Sequence, residues 1–332
     1  MPISAIKYPS INAKLKGMYA KRLKSDDILD LCKQNNLKSA VAILKNKNTN
    51  LKTIDENADR EQIEKLLNLE IIYNIEKIVK YLDKNDKRIF DILISKYEIK
   101  CIKNSIKLVY SQNDFDENIK VWTENIFDNL KGLESVKTTD EILKIVDKVK
   151  YKKILKKYFN NDEENFNIFD IENELDRLYL KNLYNSAGNK KLEKMIGTKI
   201  DFINILWIYR MKQYYKFPEE KIKESIIDIN YFLKKSEITS LIKAQNLNEM
   251  NEVLKNTEYS KLASDDIYDL ECKTKKYLQK LYIKNFKSNL LSINCVYAYL
   301  NLVELENNDI ISIIEAVRYG IDKTRLLKKL LV

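Results

Sequence analysis

Apolar residues along this 332-residue chain recur mainly at three- and four-residue intervals, the period of helices with one buried face. Ile310, Ile313, Ile314 and Val317 form one such stripe. Arg318 stands in its last turn and Gly320 is placed to close it in a left-handed cap. Leu326, Leu327, Leu330 and Leu331 then predict a last short helix. The stretch Gly197–Tyr215, GTKIDFINILWIYRMKQYY, differs in having no wet face, because Phe202, Ile203, Ile205, Leu206, Trp207, Ile208, Tyr209 and Met211 spread around the helix. It predicts a central helix packed on several sides. Thr198 and Asp201 have the spacing of a capping box at its start, and Phe217-Pro218 ends it. The amide of Asn204 lies inside the apolar run. Buried without partners it would cost about 1–3 kcal/mol, so it is expected to fix how this helix meets its neighbours.

The remaining elements follow from the same rules. Residues 11–23 predict a short amphipathic helix interrupted at Gly17. Ser25 reads as an N-cap, with Asp26 and Asp27 complementing the dipole of the next helix. Asn35-Asn36 breaks that helix, and 37–44 forms another, followed by a polar loop over 46–60. Long helices are predicted over 61–82 and 89–110, then a helix near 122–130 closed at Gly132. Thr138 and Glu141 cap the next one.

Residues 23–46, LKSDDILDLCKQNNLKSAVAILKN, align without a gap on 233–256, LKKSEITSLIKAQNLNEMNEVLKN, with ten of 24 positions identical. Chance in so biased a composition gives roughly two. A weaker third copy opens at Thr139. Apolar-Glu pairs recur at Leu69-Glu70, Ile171-Glu172 and Leu270-Glu271, each followed by an Asn in an apolar helix: Asn104, Asn204 and Asn294. The last copy lacks its final piece, and an unmatched piece stands near Ile28. This order predicts three similar helical lobes about a pseudo-threefold axis, with the chain opened inside one of them. The expected lobes are 1–60 plus 285–332, with the termini together, then 61–165 and 166–284. An open solenoid would instead carry complete repeats and two distinct capping ends.

Five glycines and three prolines are too few for the turns of a β-rich or Rossmann-type fold, so the fold class is all-α. The chain has no histidine and four widely separated cysteines, which removes ordinary zinc sites and His-based acid–base or nucleophile pairs. Reduced, buried thiols suit the cytoplasm. No signal peptide is expected, and no apolar run approaches the ~20 residues of a membrane span. Phosphate-binding glycine loops are missing. The carboxylate pairs Asp26-Asp27 and Asp265-Asp266 sit at helix starts, where dipole complementarity explains them without a metal. Arg210 and Arg318 end apolar helices, where the same dipole accounts for them. The net charge of +10 fits nucleic acid, an anionic membrane surface, an acidic protein partner, or a lysine-rich solvated surface. In Lys150–Tyr158, KYKKILKKY, interleaved aromatics resemble a nucleic-acid contact, yet Tyr151, Ile154, Leu155 and Tyr158 keep helical spacing, as in a solvated helix with an apolar underside.

Three stretches carry a family resemblance: YPSINAKLKGMYAKRL (8–23), GTKIDFINILWIYRMKQYY (197–215) and IISIIEAVRYGID (310–322). They resemble the central-stalk subunit of V-type and archaeal-type rotary ATPases, known as C in prokaryotic complexes and d in eukaryotic ones. Asn204, Ile205, Ile208 and Arg210, with Glu315–Gly320, are the most specific part. In the second lobe, Asn104 is followed by Ser105 and Tyr110 stands where the arginine would be. The resemblance implies a funnel of three helical lobes without catalytic residues, cofactor, metal or small-molecule substrate. It implies a seat on the proteolipid rotor ring for the foot of the central shaft, peripheral to the membrane through that ring. Asn104, Asn204, Asn294, Trp207, Arg210, Arg318 and Gly320 would then serve packing. A generic helical scaffold and a nucleic-acid binder working through Lys150–Tyr158 are the other readings the residues leave open.

Overall fold

A computed structural model describes residues 9–47, 51–111, 114–159, 167–264, 266–288, 292–321, 326–327 and 330. Among these every regular element is helical, and no strand is present. In chain order the helices are α1 (Pro9–Tyr19), α2 (Ser25–Cys32), α3 (Leu37–Lys47), α4 (Arg60–Val79), α5 (Lys84–Ser111), α6 (Glu117–Asn125), α7 (Thr139–Ile145) and α8 (Val149–Phe159). They continue as α9 (Ile168–Asn185), α10 (Lys190–Gln213), α11 (Glu219–Ser225), α12 (Lys235–Lys243), α13 (Leu247–Lys255), α14 (Ile267–Ser288) and α15 (Ile293–Tyr319). The expected final helix around 326–331 lies mostly outside the described residues.

An order of two long helices followed by three short ones recurs. It runs α4 to α8, then α9 to α13, then α14 and α15 followed in kind by α1 to α3. The leading helices have 20, 18 and 22 residues, and the second long helices 28, 24 and 27. The chain divides into two compact units. One comprises Met1–Ile63 and Ala187–Val332, the other Glu64–Ser186.

In the first unit, α15 packs along α14 and against α1, α2, α3 and α10. Ile310, Ile313 and Ile314, the stripe read from the sequence, are fully buried on it. Gly320 closes α15 at φ 63°, ψ 32°, its N–H bonding the Ala316 carbonyl. α10 packs against α11, α12, α14 and α15, so four neighbours account for its lack of a wet face. In the second unit, α5 carries α6, α7 and α9, and α8 packs on α7 and α9. Trp122 of α6 is buried in a stack on Tyr97 of α5, with ring centroids 3.8 Å apart.

Three local expectations are corrected. α1 runs unbroken through Gly17, which meets no neighbouring atom there. Ser25 is the first residue of α2 rather than its cap. The Asp27 carboxylate accepts the Lys24 N–H at 2.9 Å, and Glu237 does the same for Lys234 at α12. α10 starts at Lys190, capped by Asn189, so Thr198 and Asp201 lie inside the helix and form no capping box.

Gly197 lets Tyr231 lie directly on α10: a Cβ there would stand 2.4 Å from the Tyr231 ring. Gly197→Ala is therefore expected to lower unfolding free energy by about 1–3 kcal/mol, the usual cost of overpacking. Urea titration checks this, and a loss below about 0.5 kcal/mol would show that the ring moves aside freely.

Candidate functional site

Each second long helix holds a buried carboxylate that fastens chain from another part of its repeat. On α5, Glu98 accepts a hydrogen bond from the Tyr151 hydroxyl at 2.9 Å and pairs with Lys148, holding the start of α8. On α10, Asp201 accepts the N–H groups of Phe232 (2.8 Å), Tyr231 (3.3 Å) and Leu233 (3.4 Å), and the Tyr259 hydroxyl at 2.7 Å. On α15, Glu306 accepts the Leu23 N–H at 3.0 Å and pairs with Arg22, whose guanidinium also donates to the Leu302 carbonyl. One turn further on, Asp309 pairs with Lys275 of α14.

These are charges taken out of water, which persist because donors reach them, two or more in the case of Glu98, Asp201 and Glu306. Burial pushes the Asp201 carboxyl above its ordinary range, and the bonds from Tyr259 and the backbone oppose that shift. Burial beside a carboxylate pushes the Tyr151 and Tyr259 hydroxyls strongly upward, so both remain donors at neutral pH.

Amides form a second set of fasteners. Asn204 is fully buried and closes a two-bond clamp on Ile227: its Nδ2 donates to the carbonyl and its Oδ1 accepts the N–H, both at 2.9 Å. Asn251 clamps Ser264 in the same way, at 2.6 and 3.0 Å. Asn294, second in α15, exchanges two bonds with Asn189, the N-cap of α10, at 3.0 and 3.1 Å. Asn104 accepts the Asp116 N–H at 2.9 Å, fixing the entry to α6. The three asparagines read from the sequence thus hold three separate junctions and do not meet one another.

Acidic landmarks of the leading helices meet cations of the second helices. Glu271 pairs with Arg210 at 2.6 Å, and Glu172 with Lys107 at 3.0 Å. Lys107 therefore supplies the cation where Tyr110 stands at the arginine spacing. Both pairs are partly exposed, so each contributes only about 0–1 kcal/mol. Trp207 is half-buried, and Arg318 is exposed, its guanidinium 5.5 Å from the Tyr319 ring centroid.

Sequence reasoning missed Glu98, Glu306 and Lys199 and misassigned Asp201. Their only signal was a charged residue placed beside apolar neighbours inside a long helix. Lys199, on α10, donates to Asn301 of α15 at 3.0 Å, and burial lowers its pKa despite the nearby Glu304 carboxylate. In Lys150–Tyr158, Tyr151, Ile154 and Leu155 are buried as the underside of α8, and Lys157 pairs with Glu174. Burial pushes the Cys101 and Cys295 thiols up to about 12, leaving no thiolate at neutral pH. These groups are engaged with one another as fasteners of helix junctions, which is the chemistry of a stiff body.

A family model described as "ATP synthase (C/AC39) subunit" matches residues 11–329. The chain belongs to this family. The protein of Pyrococcus abyssi named as the C subunit of an A-type ATP synthase is 23% identical over 334 residues, spanning 96% of this chain and 88% of the relative. The protein of the same name from Methanocaldococcus jannaschii is 24% identical, with 83% and 71% covered. That of Pyrococcus horikoshii is 25% identical, with 78% and 70% covered. The C/AC39 match takes in α1 through α15 apart from the first two residues of α1, and thus every fastener described above. None of the described helices of this family member is long and apolar enough to cross a membrane.

Two outcomes follow. Asn204→Leu strands the N–H and carbonyl of Ile227 in the core, so a loss of about 2–5 kcal/mol in urea unfolding is expected; unchanged stability would show that the clamp carries nothing. Lys199 has its folded-state pKa below the unfolded value of 10.5, so the unfolded chain binds more protons between the two. Stability therefore rises with pH across that window. Relative to Lys199→Met, the parent protein should gain stability as the pH rises toward 10.5, read as a moving difference in urea midpoints; a constant difference would contradict it.

Proposed function

We propose that this C/AC39 family member is a non-catalytic central-stalk rotor subunit of a V-type or archaeal-type ion-translocating ATPase or ATP synthase. In this reading it seats the central shaft on the proteolipid rotor ring and passes torque between them, peripheral to the membrane through the ring. The three repeats are its three lobes, 1–60 with 285–332, 61–165 and 166–284, arranged as a funnel. The observation that carries the reading is the family match along nearly the whole chain, together with relatives named as the C subunit of A-type ATP synthases.

The physical character of the chain supports it. A part that transmits torque must resist shear between its helices, and its polar groups need no substrate. Here buried carboxylates and amides join distant segments: Glu306 to Leu23 across 283 residues and Asn294 to Asn189 across 105. Such junctions are stiff because breaking one leaves a buried charge or amide without a partner.

The test is affinity capture of the tagged protein from its own cells in mild detergent, with the co-purifying chains identified by mass spectrometry. Recovery of rotor-ring proteolipids together with central-shaft subunits is expected. Capture of nucleic acid or unrelated proteins, with no ATPase component, would overturn the assignment and return the chain to the class of helical scaffolds.

A further inference from the structure

The positive charge is confined to one of the two units. The unit made of Met1–Ile63 and Ala187–Val332 has 37 lysines and arginines against 26 acidic residues, a net +11, whereas Glu64–Ser186 has 22 against 23. Within the first unit the sharpest concentration lies on α14. From Cys272 to Ser288 that helix carries six lysines and no acidic residue. Two of the six are spent internally: Lys275 pairs with Asp309, and Lys273 with Asp269 and the Ala263 carbonyl. Lys276, Lys280, Lys284 and Lys287 form no ion pair among the described residues, and the last three are exposed.

Their spacing of four, four and three residues places these lysines in one row along α14, over roughly 16 Å at the rise of an α-helix. Like charges at this spacing repel, so the row weakens the helix that bears it and has no stabilising role. α14 is held along its length by α15 and on another side by α10, which keeps the row straight and preset. Three acidic side chains of α15 are taken by other cations, Asp309 by Lys275, Glu306 by Arg22 and Glu315 by Arg60.

We infer that this lysine row is a docking surface for an acidic α-helix of a partner protein, one with carboxylates in a matching row at three- and four-residue intervals. A straight row one residue wide matches the periodicity of another helix. A membrane-surface helix instead presents a broad apolar face to the bilayer. α14 has buried its apolar face, and Tyr277 is the one large apolar side chain exposed on it among the described residues. The surface goes beyond the subunit assignment, and the isolated chain tests it whether or not that assignment stands.

The probe is a fluorescein-labelled, alanine-based helical peptide with glutamates in a four, four, three row, measured by anisotropy on the full chain. The comparison is a peptide of equal composition with its glutamates spread around the helix. Lys276, Lys280, Lys284 and Lys287 are changed together to Gln. The control changes the exposed Lys52, Lys223, Lys235 and Lys243. The row variant should lose at least about tenfold in affinity and the control less than about twofold, with binding to the parent falling steeply from low to physiological salt. Circular dichroism of both variants confirms that the fold is kept. Equal losses in the two variants, equal binding of the scrambled peptide, or no binding at all would overturn the proposal. So would retention of the parent, but not the row variant, on phosphatidylcholine–phosphatidylglycerol vesicles while the peptide fails to bind.

Discussion

The Asp201 carboxylate, fully buried on α10, is the interaction on which the first unit depends most directly. A charge in that position is tolerable only if donors surround it, and three consecutive N–H groups and one tyrosine hydroxyl do so. Those donors belong to the approach to α12 and to the segment after α13, so one side chain fixes where two short helices begin and end. Tyr231 delivers one of the N–H groups while its ring lies on Gly197. Ile227, a turn earlier, is clamped by Asn204. Asp201, Asn204 and Gly197 are thus three parts of one junction between a long helix and the chain that returns to it.

The same solution is built with different atoms elsewhere. Glu98 uses a lysine and a tyrosine hydroxyl, and Glu306 an arginine and a backbone N–H. What recurs is the location, an acid inside the second long helix, and the task of fastening a shorter helix to it. The recurrent order of two long and three short helices follows the same logic. A short helix has too little apolar surface to hold itself in place, so it needs a long neighbour and a specific polar tie.

The sequence made the helices, the Asn204 amide and the Gly320 cap legible, because each announces itself within a few residues. A lone amide in an apolar run must be paired, and a glycine after the last apolar stripe fits a left-handed cap. Asp201 was misread for the same local reason: Thr-x-x-Asp has the spacing of a cap, whereas its true partners begin 30 residues away. Ser25 misled similarly, since the bond that closes the helix start there is made by the Asp27 carboxylate. Lys107 was passed over because its cation sits one turn before the position that matches Arg210. Glu306 has its partners more than 280 residues distant, and no local pattern encodes such a distance.

That last separation has a consequence for how the molecule is made. α1, α2 and α3 bury Ile11, Leu15, Ile28, Leu31 and Leu44, and α15 is a helix they pack against. On the ribosome, α15 emerges more than two hundred residues after α3, a delay on the order of tens of seconds at ordinary translation rates. During that interval the first three helices of the nascent chain cannot complete their packing. Their apolar faces must be shielded by one another or by a chaperone, and the unit closes only when its last long helix arrives.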